Sequence, residues 1–565
     1  MMQNIIVVDC ISTGRNFIGD IINRGYNPIV LELKVSESED AKQYNDYIHH
    51  GYEDIPFDFE MIYEQDSFEE TVELVKTYDP LLIIPGGERG VILATQLSNE
   101  LGLLGNPVEN LEAMIMKNKM QERIAEHGLR SIKGKVVHSL EEAVEYYDSE
   151  TFKEVVIKPI HSSGSASVRI CLNRDEMIDT TKLLFEDVNR YGEEITELLI
   201  QERINGEEYI VNTVSHKGIP RVTTVWKYHK VKTSEGAMVY DSCETVNELG
   251  LGEAEMVEYA YSVAEALGIQ YGPVHGEYMI DEKGPVLIEV NCRPMGGNMP
   301  ASFMDRISAQ HETDSVLDSY LKPERFNEAL KRRYELYAHG TLKFFIVPRD
   351  MVAYSTPMGG IINQLKAFHS STMNTILGES FFHKTKDVNT SGGTVFLVHE
   401  DYSELEKNLN FLRAVEKNAF SLILHDDSVA ILEKDDDDYL NEIKPLVQET
   451  EKYGTGLFVT DQFVEDIDIL QVGIEDLDGL KGKFEFIIIN LNKSLCERKS
   501  DEKVKIIIDI FSKLRTGGLI FIPKNTYQVL TSGRRGMEAL IKVLDYNIEL
   551  PPYNLKDIII ASKAI

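Results

Sequence analysis

Between Glu154 and Asn291 the chain passes through six short β-rich segments, EVVIKPI, LLIQERI, EEYIVNTVSH, RVTTVWKYHKV, VHGEYMID and VLIEVN. Several alternate apolar with polar or charged residues, the period of antiparallel strands that bury one face and leave the other open. A chain built this way carries its chemistry on open sheet faces, and the functional residues are expected there.

The flanking regions have a different texture. The opening NIIVVDCISTGRNFIGDIINRGYNPIVLEL reads as strand, turn, helix, strand, and LLIIPGGERG as a further strand and turn. Continuous apolar strands alternating with helices predict a small parallel α/β domain over residues 1–115. STGRN holds a single glycine and is a poor dinucleotide fingerprint. From Leu111, LEAMIMKNKMQERIAEHGL predicts a helix that Gly128 stops. GTLKFFIVPRD, GGTVFLVHED and LNFLRAVEKNAFSLILHD suggest a smaller α+β unit at about 338–430. The acidic run Glu433–Tyr439 reads as an exposed linker or helix start, because like charges in sequence repel and solvate. It marks a boundary. Beyond it, residues 431–565 contain DIDILQVGIEDL, KFEFIIINLN, KVKIIIDIFSKL and RTGGLIFIPK, again an α/β pattern.

Composition narrows the function classes. At 565 residues the chain exceeds one core and predicts three or more domains. A net charge of -35 argues against a general nucleic-acid binder, which needs a cationic face, but leaves room for a small anion site. The N-terminal segment lacks the basic and apolar regions of a signal peptide, and no apolar run is long enough to span a bilayer. A cytoplasmic protein with no membrane partner is expected. Cys10, Cys171, Cys243, Cys292 and Cys496 are scattered with no C-x-x-C pair, and buried reduced thiols are the expected state.

The chain has no G-x-x-x-x-G-K-[ST] motif, so any ATP chemistry needs another phosphate cradle. VVIKPIHSSGSASVRI offers one: Lys158 at a strand end, then a Ser/Gly loop whose N–H groups can fold over phosphate oxygens. Downstream, LIQERINGEEYIVNTV supplies Glu202 and Glu208. Glu277 in VHGEYMID and Glu289 in VLIEVNCRPMGG lie on strands joined by an Asp-Glu-Lys-Gly turn. Across such a hairpin the two carboxylates can face each other and hold Mg²⁺, and Asn291 shares the face of Glu289.

The combination of Lys119 in MKNKM, Lys158 with its loop, QERINGEEY, HGEYMID and GPVLIEVNCRPMGG resembles the ATP-grasp carboxylate–amine ligases, in particular the amino-acid ligase branch. The resemblance covers roughly residues 1–426. It implies a multidomain α/β and α+β chain: a Rossmann-like pre-ATP-grasp domain at 1–115, an ATP-grasp fold at 116–430, and a further module. It also implies that Lys119 and Lys158 contact the α- and β-phosphates of ATP, and that Ser162, Ser163, Gly164 and Ser165 form the loop over the triphosphate. Glu202 and the Ile204 backbone would bind adenine and Glu208 the ribose. Glu277, Glu289 and Asn291 would hold two magnesium ions, and Arg293 would neutralise the moving phosphoryl group.

Gly296 and Gly297 would let backbone N–H groups approach an acyl-phosphate. His275 has two open readings, as a structural residue or as one that orients substrate or takes a proton. Trp226, Lys227, Tyr228, Tyr240 and Asp241 either line the acceptor pocket or pack in a core. The implied reaction joins a small-molecule carboxylate to an amine with release of ADP and phosphate, and a homodimer is left open.

Residues 431–565 depart from the simpler ligases and look like a shortened class I methyltransferase, with KYGTGLFVTD as the only candidate cofactor loop. Two alternatives therefore stand beside the ligase: a bifunctional ligase and S-adenosylmethionine-dependent methyltransferase, and a non-catalytic nucleotide-binding scaffold.

Overall fold

The structure is a computed structural model. It describes residues 2–34, 52, 55–160, 168–187, 194–232, 238–347, 351–353, 362, 365–373, 381–382, 384–388, 390–422, 424–425, 456–460, 470–473, 476–477, 480, 484–490, 506, 510, 513–523 and 558–562. The chain is a mixed α/β fold that divides into two compact units, the first holding residues 1–344 with 386–389 and 395–405.

The first unit opens with four parallel strands, β1 (Asn4–Val8), β2 (Asn27–Glu32), β3 (Glu60–Tyr63) and β4 (Pro80–Pro85), in the order β3-β2-β1-β4. The apolar runs of β1 and β2 are buried on both faces, as a sheet covered by helices on both sides requires. Ile5 and Val7 pack into one cluster with Phe17 and Ile21, and Ile6 and Val8 into another with Leu93 and Leu97.

A second sheet follows: β5 (Gly134–Val137), β6 (Val155–Pro159), β7 (Arg169–Cys171) and β8 (Leu198–Glu202), in the order β5-β8-β6-β7. Its odd-numbered residues on β6, Val155 and Ile157, are buried against Ala143, Tyr146 and Tyr147 of the helix Leu140–Ser149 and Met177 and Leu184 of the helix Arg174–Phe185. Their neighbours Val156 and Lys158 consequently face the other way.

The third sheet is antiparallel. It includes β9 (Glu207–His216), β10 (Ile219–Lys232), β11 (Met238–Thr245), β12 (Tyr271–Asp281), β13 (Gly284–Asn291) and β14 (His339–Phe344), which run β13-β12-β9-β10-β11-β14, and the strand Gly393–His399 follows β14. On one face Tyr209, Val211, Val274 and Tyr278 pack with Met256, Ala260 and Val263 of the helix Leu251–Ala266. On the other, Ile210 and Trp226 pack with Phe303 and Ile307 of the helix Ala301–Ser308.

The second unit holds residues 345–385, 390–394 and 406–565. Strands Met351–Ala353, Phe381–Phe382 and Leu424–His425 form a small antiparallel sheet. Strands Leu470–Val472, Gly456–Thr460, Phe484–Asn490 and Leu514–Pro523 lie parallel in that order, and Ile558–Ser562 is added antiparallel at the edge. Cys10, Cys171, Cys243 and Cys292 are buried free thiols. Cys496 and the acidic run Glu433–Tyr439 lie outside the described residues. Among the described residues no helix is long and apolar enough to cross a membrane.

Candidate functional site

The open faces of the second and third sheets, both in the first unit, enclose a cleft of about 500 Å³. From the second sheet come Val156, Lys158, Ile170, Gln201 and Glu202; from the third, Glu208, Tyr228, Lys230, Tyr240, Glu277 and Glu289. Period-two alternation does the sorting. On β6 Val155 and Ile157 enter the helical core, and Val156 and Lys158 the cleft.

The connection between β8 and β9 must turn sharply at the cleft mouth. Gly206 makes this turn possible, since a Cβ there would lie 2.4 Å from the Ile280 carbonyl oxygen. Arg203, Ile204, Asn205 and Gly206 line this end.

Glu277 and Glu289 are paired directly across the β12–β13 hairpin. A bulge follows at once, because Tyr278 pairs with Leu287 and Ile288 becomes the extra residue. Ile288 and Glu289 can therefore both line the cleft, which strict alternation would forbid. Lys117, at the start of the helix Lys117–Glu126, reaches Glu289 Oε2 at 3.1 Å. Asn291 Nδ2 lies 3.4 Å from Glu289 Oε1.

Burial pushes Glu289 up, but Lys117 and Lys158 outweigh it, and its carboxyl sits well below the usual range. Around Glu277 the pull of Lys230, Arg293 and Lys117 is the weaker influence. Burial first, and then the Glu289 charge, raise its carboxyl. Burial, with Lys117 adding repulsion, lowers Lys158 to about 8. Two oxygen-donor side chains face each other in a site that already concentrates cations on them, and this donor chemistry fits a hard divalent ion such as Mg²⁺.

His275 lies buried beside this pair, with Nδ1 2.9 Å from Asn212 Oδ1 and Nε2 3.6 Å from Glu277 Oε1. Burial, then Arg293, pushes its imidazole down to about 3, so the ring is neutral. Asn212 in turn donates to Thr224 Oγ1 at 3.0 Å. Arg293 follows β13 and pairs with Glu88 Oε2 at 3.3 Å.

Glu202, Ile204, Glu208, Tyr228 and Tyr240 line the cleft, as does Lys227. Glu208 is already engaged, by Lys230 Nζ at 2.6 Å and the Tyr240 hydroxyl at 3.0 Å. Tyr240 lies 4.6 Å from Tyr228, ring centre to ring centre. Gly296 faces open space, and Gly297 has φ +86°, a left-handed conformation that favours glycine. The loop residues Ser162, Ser163, Gly164 and Ser165 lie outside the described residues.

Lys119 sits elsewhere than the sequence reading put it, and for Trp226 and Asp241 the core reading holds over the pocket reading. Lys119 points to solvent and pairs with Glu122, whereas Lys117 enters the cleft. Positions two apart on a helix face nearly opposite ways, so MKNKM admits either lysine and only the packing decides. Trp226 shares the face of Tyr228 but lies under the helix Ala301–Ser308, stacked near Phe303 with its Nε1–H on Thr224. Asp241 is the extra residue of a bulge opposite His229 and Lys230, and turns away to pair with the fully buried Lys343 at 2.8 Å.

The residues missed by sequence reasoning are Lys117, Lys230, Asn212 and Glu88. Glu88 had a signal: it follows the carboxyl end of a parallel strand, where α/β sheets bind ligands.

Residues 151–301 match the ATP-grasp domain. The chain is 25% identical over 364 residues to dapdiamide A synthase of Enterobacter agglomerans, covering 64% of this chain and 85% of that protein. It is 26% identical over 212 residues to the carbamoyl phosphate synthase large chain of Clostridium acetobutylicum, covering 37% of this chain and 19% of that one. Among solved structures, the L-amino acid ligase of Bacillus licheniformis superposes with a TM-score of 0.57 at 15% identity, over 73% of this chain and 97% of the ligase. Carboxyaminoimidazole ribonucleotide synthase of Aspergillus clavatus, complexed with ATP, superposes with a TM-score of 0.52 at 11% identity, over 74% and 99%. These structural likenesses establish a shared fold.

Proposed function

We propose that this chain, an ATP-dependent carbon–nitrogen ligase that carries an ATP-grasp domain, activates the carboxylate of an amino acid and joins it to an amine. The observation that carries the reading is the convergence of Lys117, Lys158, Glu277 and Glu289 on one cleft between two sheets. A carboxylate is unreactive towards amines at neutral pH, so its oxygen must first be phosphorylated. One substrate carboxylate oxygen attacks the γ-phosphorus of ATP, the bond to the β,γ-bridging oxygen breaks, and ADP leaves. The amine nitrogen then attacks the acyl carbon, phosphate departs with the bonding electrons, and the nitrogen loses its proton.

Lys158 and the backbone beyond it would hold the β-phosphate, Glu202 and Ile204 the adenine, and Glu208 the ribose. Glu277, Glu289 and Asn291 would hold the magnesium ions, which when bound neutralise phosphate charge. Arg293 would meet the charge that develops on the transferring group, and Gly296 and Gly297 the acyl-phosphate. Neutral His275, fixed by Asn212, can orient a substrate but is a weak base at its lowered pKa. Tyr228 and Tyr240 remain candidates for the acceptor pocket.

Similarity to dapdiamide A synthase and to the fold of an L-amino acid ligase supports an amino-acid substrate. A scaffold that only bound nucleotide would have no need of Arg293 and the two glycines beside the carboxylate pair, a set that fits transfer of a phosphoryl group. The sheet of the second unit is proposed to be a Rossmann-like module that packs without a cofactor, and a second copy of the chain is its candidate partner.

The test is the spent nucleotide. Incubation with ATP, Mg²⁺ and a panel of amino acids and amines should release ADP and phosphate only when both substrates are present. Chromatography that found AMP and pyrophosphate instead would mean adenylation and would overturn the reading.

A further inference from the structure

The turn after β13 is held by a carboxylate that the proposed chemistry does not use. Glu312 opens the helix Glu312–Leu321 and is 6% exposed. Its Oε2 accepts the Met295 N–H at 3.1 Å, while its Oε1 is buried with no hydrogen-bond partner among the described residues. Burial pushes this carboxyl up to about 7, against the pull of the Met295 N–H and of Arg293. An apolar side chain at the same place would avoid the desolvation penalty of a half-satisfied carboxylate. The group therefore destabilises the local core, and what it contributes lies in the residue it grips.

Met295 stands two positions from Arg293 and one from Gly296. Its backbone is gripped by Glu312, and its sulfur lies 3.2 Å from Nδ2 of Asn212, the side chain whose Oδ1 pairs with His275. Farther along, the Asn298 and Met299 N–H groups donate to Ser12 Oγ and Thr13 Oγ1, each at 3.0 Å, and Asn16 donates to the Met299 carbonyl. Between β13 and Asn298 the Met295–Glu312 bond is the tertiary hold on the backbone N–H groups among the described residues; the other contacts are Asn212 on the Met295 sulfur at 3.2 Å, the Arg293 side chain on Glu88 at 3.3 Å and Thr13 on the Gly296 carbonyl at 3.4 Å. The two glycines that follow Met295 give no stiffness of their own. Without the tether, the segment from Arg293 to Gly297 would be held by side-chain contacts and the Thr13 approach, with no tertiary bond on its backbone N–H groups among the described residues.

We propose that Glu312 is a positioning residue for the transfer steps: by holding the Met295 backbone it fixes the aim of the Arg293 guanidinium and of the Gly296 and Gly297 N–H groups. The proposal rests on the ligase reading above. The role requires a hydrogen-bond acceptor of the right reach and does not require charge. Glutamine keeps that acceptor, alanine removes it, and aspartate keeps the charge but falls short.

The experiment measures steady-state ADP release by the full-length protein with a substrate pair that the parent turns over, together with calorimetric binding of a non-hydrolysable ATP analogue. Glu312→Ala should lower kcat by about 10- to 100-fold, with analogue affinity within about threefold of the parent. Glu312→Gln should restore kcat to within about threefold of the parent, and Glu312→Asp should resemble alanine. If the alanine protein does not fold, the glutamine and aspartate variants decide the matter between them. Parental kcat in Glu312→Ala or Glu312→Asp overturns the proposal, and so does a Glu312→Gln protein in which kcat is lost. A parent that releases no ADP with any pair refutes the ligase reading itself, a result separate from any difference among the variants.

Discussion

Lys158 and Arg293 are both cations of the site, yet their surroundings give them different work. Lys158 is buried in the cleft wall beside Glu289, where a phosphate would exchange bulk water for its ammonium. Arg293 stands on the turn after β13, paired with Glu88, where it can meet charge that appears only during transfer. Lys158→Ala should therefore weaken binding of a non-hydrolysable ATP analogue by about tenfold or more, as loss of a charge-assisted contact does. Arg293→Ala should leave that binding unchanged and lower turnover by roughly 10²–10³. Calorimetry and steady-state kinetics on the two proteins check both halves, and equal binding by parent and Lys158→Ala would remove Lys158 from the phosphates. At this scale residue types were readable from sequence, whereas their directions were not. Glu277, Glu289 and Lys158 stood out because strand alternation ties chemistry to a face. Lys119 and Lys117 could not be separated, since helix rotation relative to the sheet is set by Met120 and Ile124 in the core.

Strands were the most legible elements, because a period of two survives in the sequence whatever packs on it. Two things were not legible: the bulges, and where along a strand its cover ends. The bulge at Ile288 and the one at Asp241 each insert a residue that reverses the expected face, and no residue type announces them. Trp226 and Tyr228 share a face, and only the placement of the helix Ala301–Ser308 makes one core and the other cleft wall. The same limit hid the contact between the helices Asn16–Asn23 and Glu312–Leu321. There His311 holds Asp20 through Nε2 and Asp305 through Nδ1, both at 2.9 Å, and Thr313 donates to Asp20 at 2.7 Å. Burial pushes the imidazole down, but the two carboxylates outweigh it and raise its pKa from 6.5 to about 9. Since the folded state binds this proton more tightly than the unfolded chain, the stabilisation is complete below about pH 6.5 and is lost as pH rises through about 9. It amounts to on the order of 3 kcal/mol. The melting-temperature gap between the parent and His311→Gln should thus be wide at pH 6 and narrow steadily towards about pH 9.5. A gap that stays constant over this range would show that the histidine is not charged in the fold.

Over the whole molecule the net charge is -35, yet Lys117, Lys158, Lys227 and Lys230 gather along one cleft of the first unit. The second unit poses the remaining question of cofactor use. Parallel sheets bind ligands beyond the carboxyl ends of their strands, and an S-adenosylmethionine site needs a glycine-rich loop after the first strand and an acidic residue after the second. The glycines of KYGTGLFVTD cannot serve, because the strand begins at Gly456 itself and runs to Thr460, which leaves them at its amino end. Residues 461–469, which leave the carboxyl end, contain no glycine. They also fall short of the roughly twelve residues of an ordinary helical crossover, although the strands they join are parallel. Asp476, after the strand Leu470–Val472, satisfies the second requirement alone. With no glycine in residues 461–469, Asp476 would have no glycine-rich loop to share the cofactor with, and the expected result is no binding. Titration of the full-length protein with S-adenosylmethionine should give no heat above dilution at cofactor concentrations up to about 1 mM, the range in which even weak sites register. Saturable binding, or consumption of the cofactor alongside ATP, would restore the bifunctional alternative; its absence leaves the apolar strands Phe484–Asn490 and Leu514–Pro523 as a sheet whose use is packing.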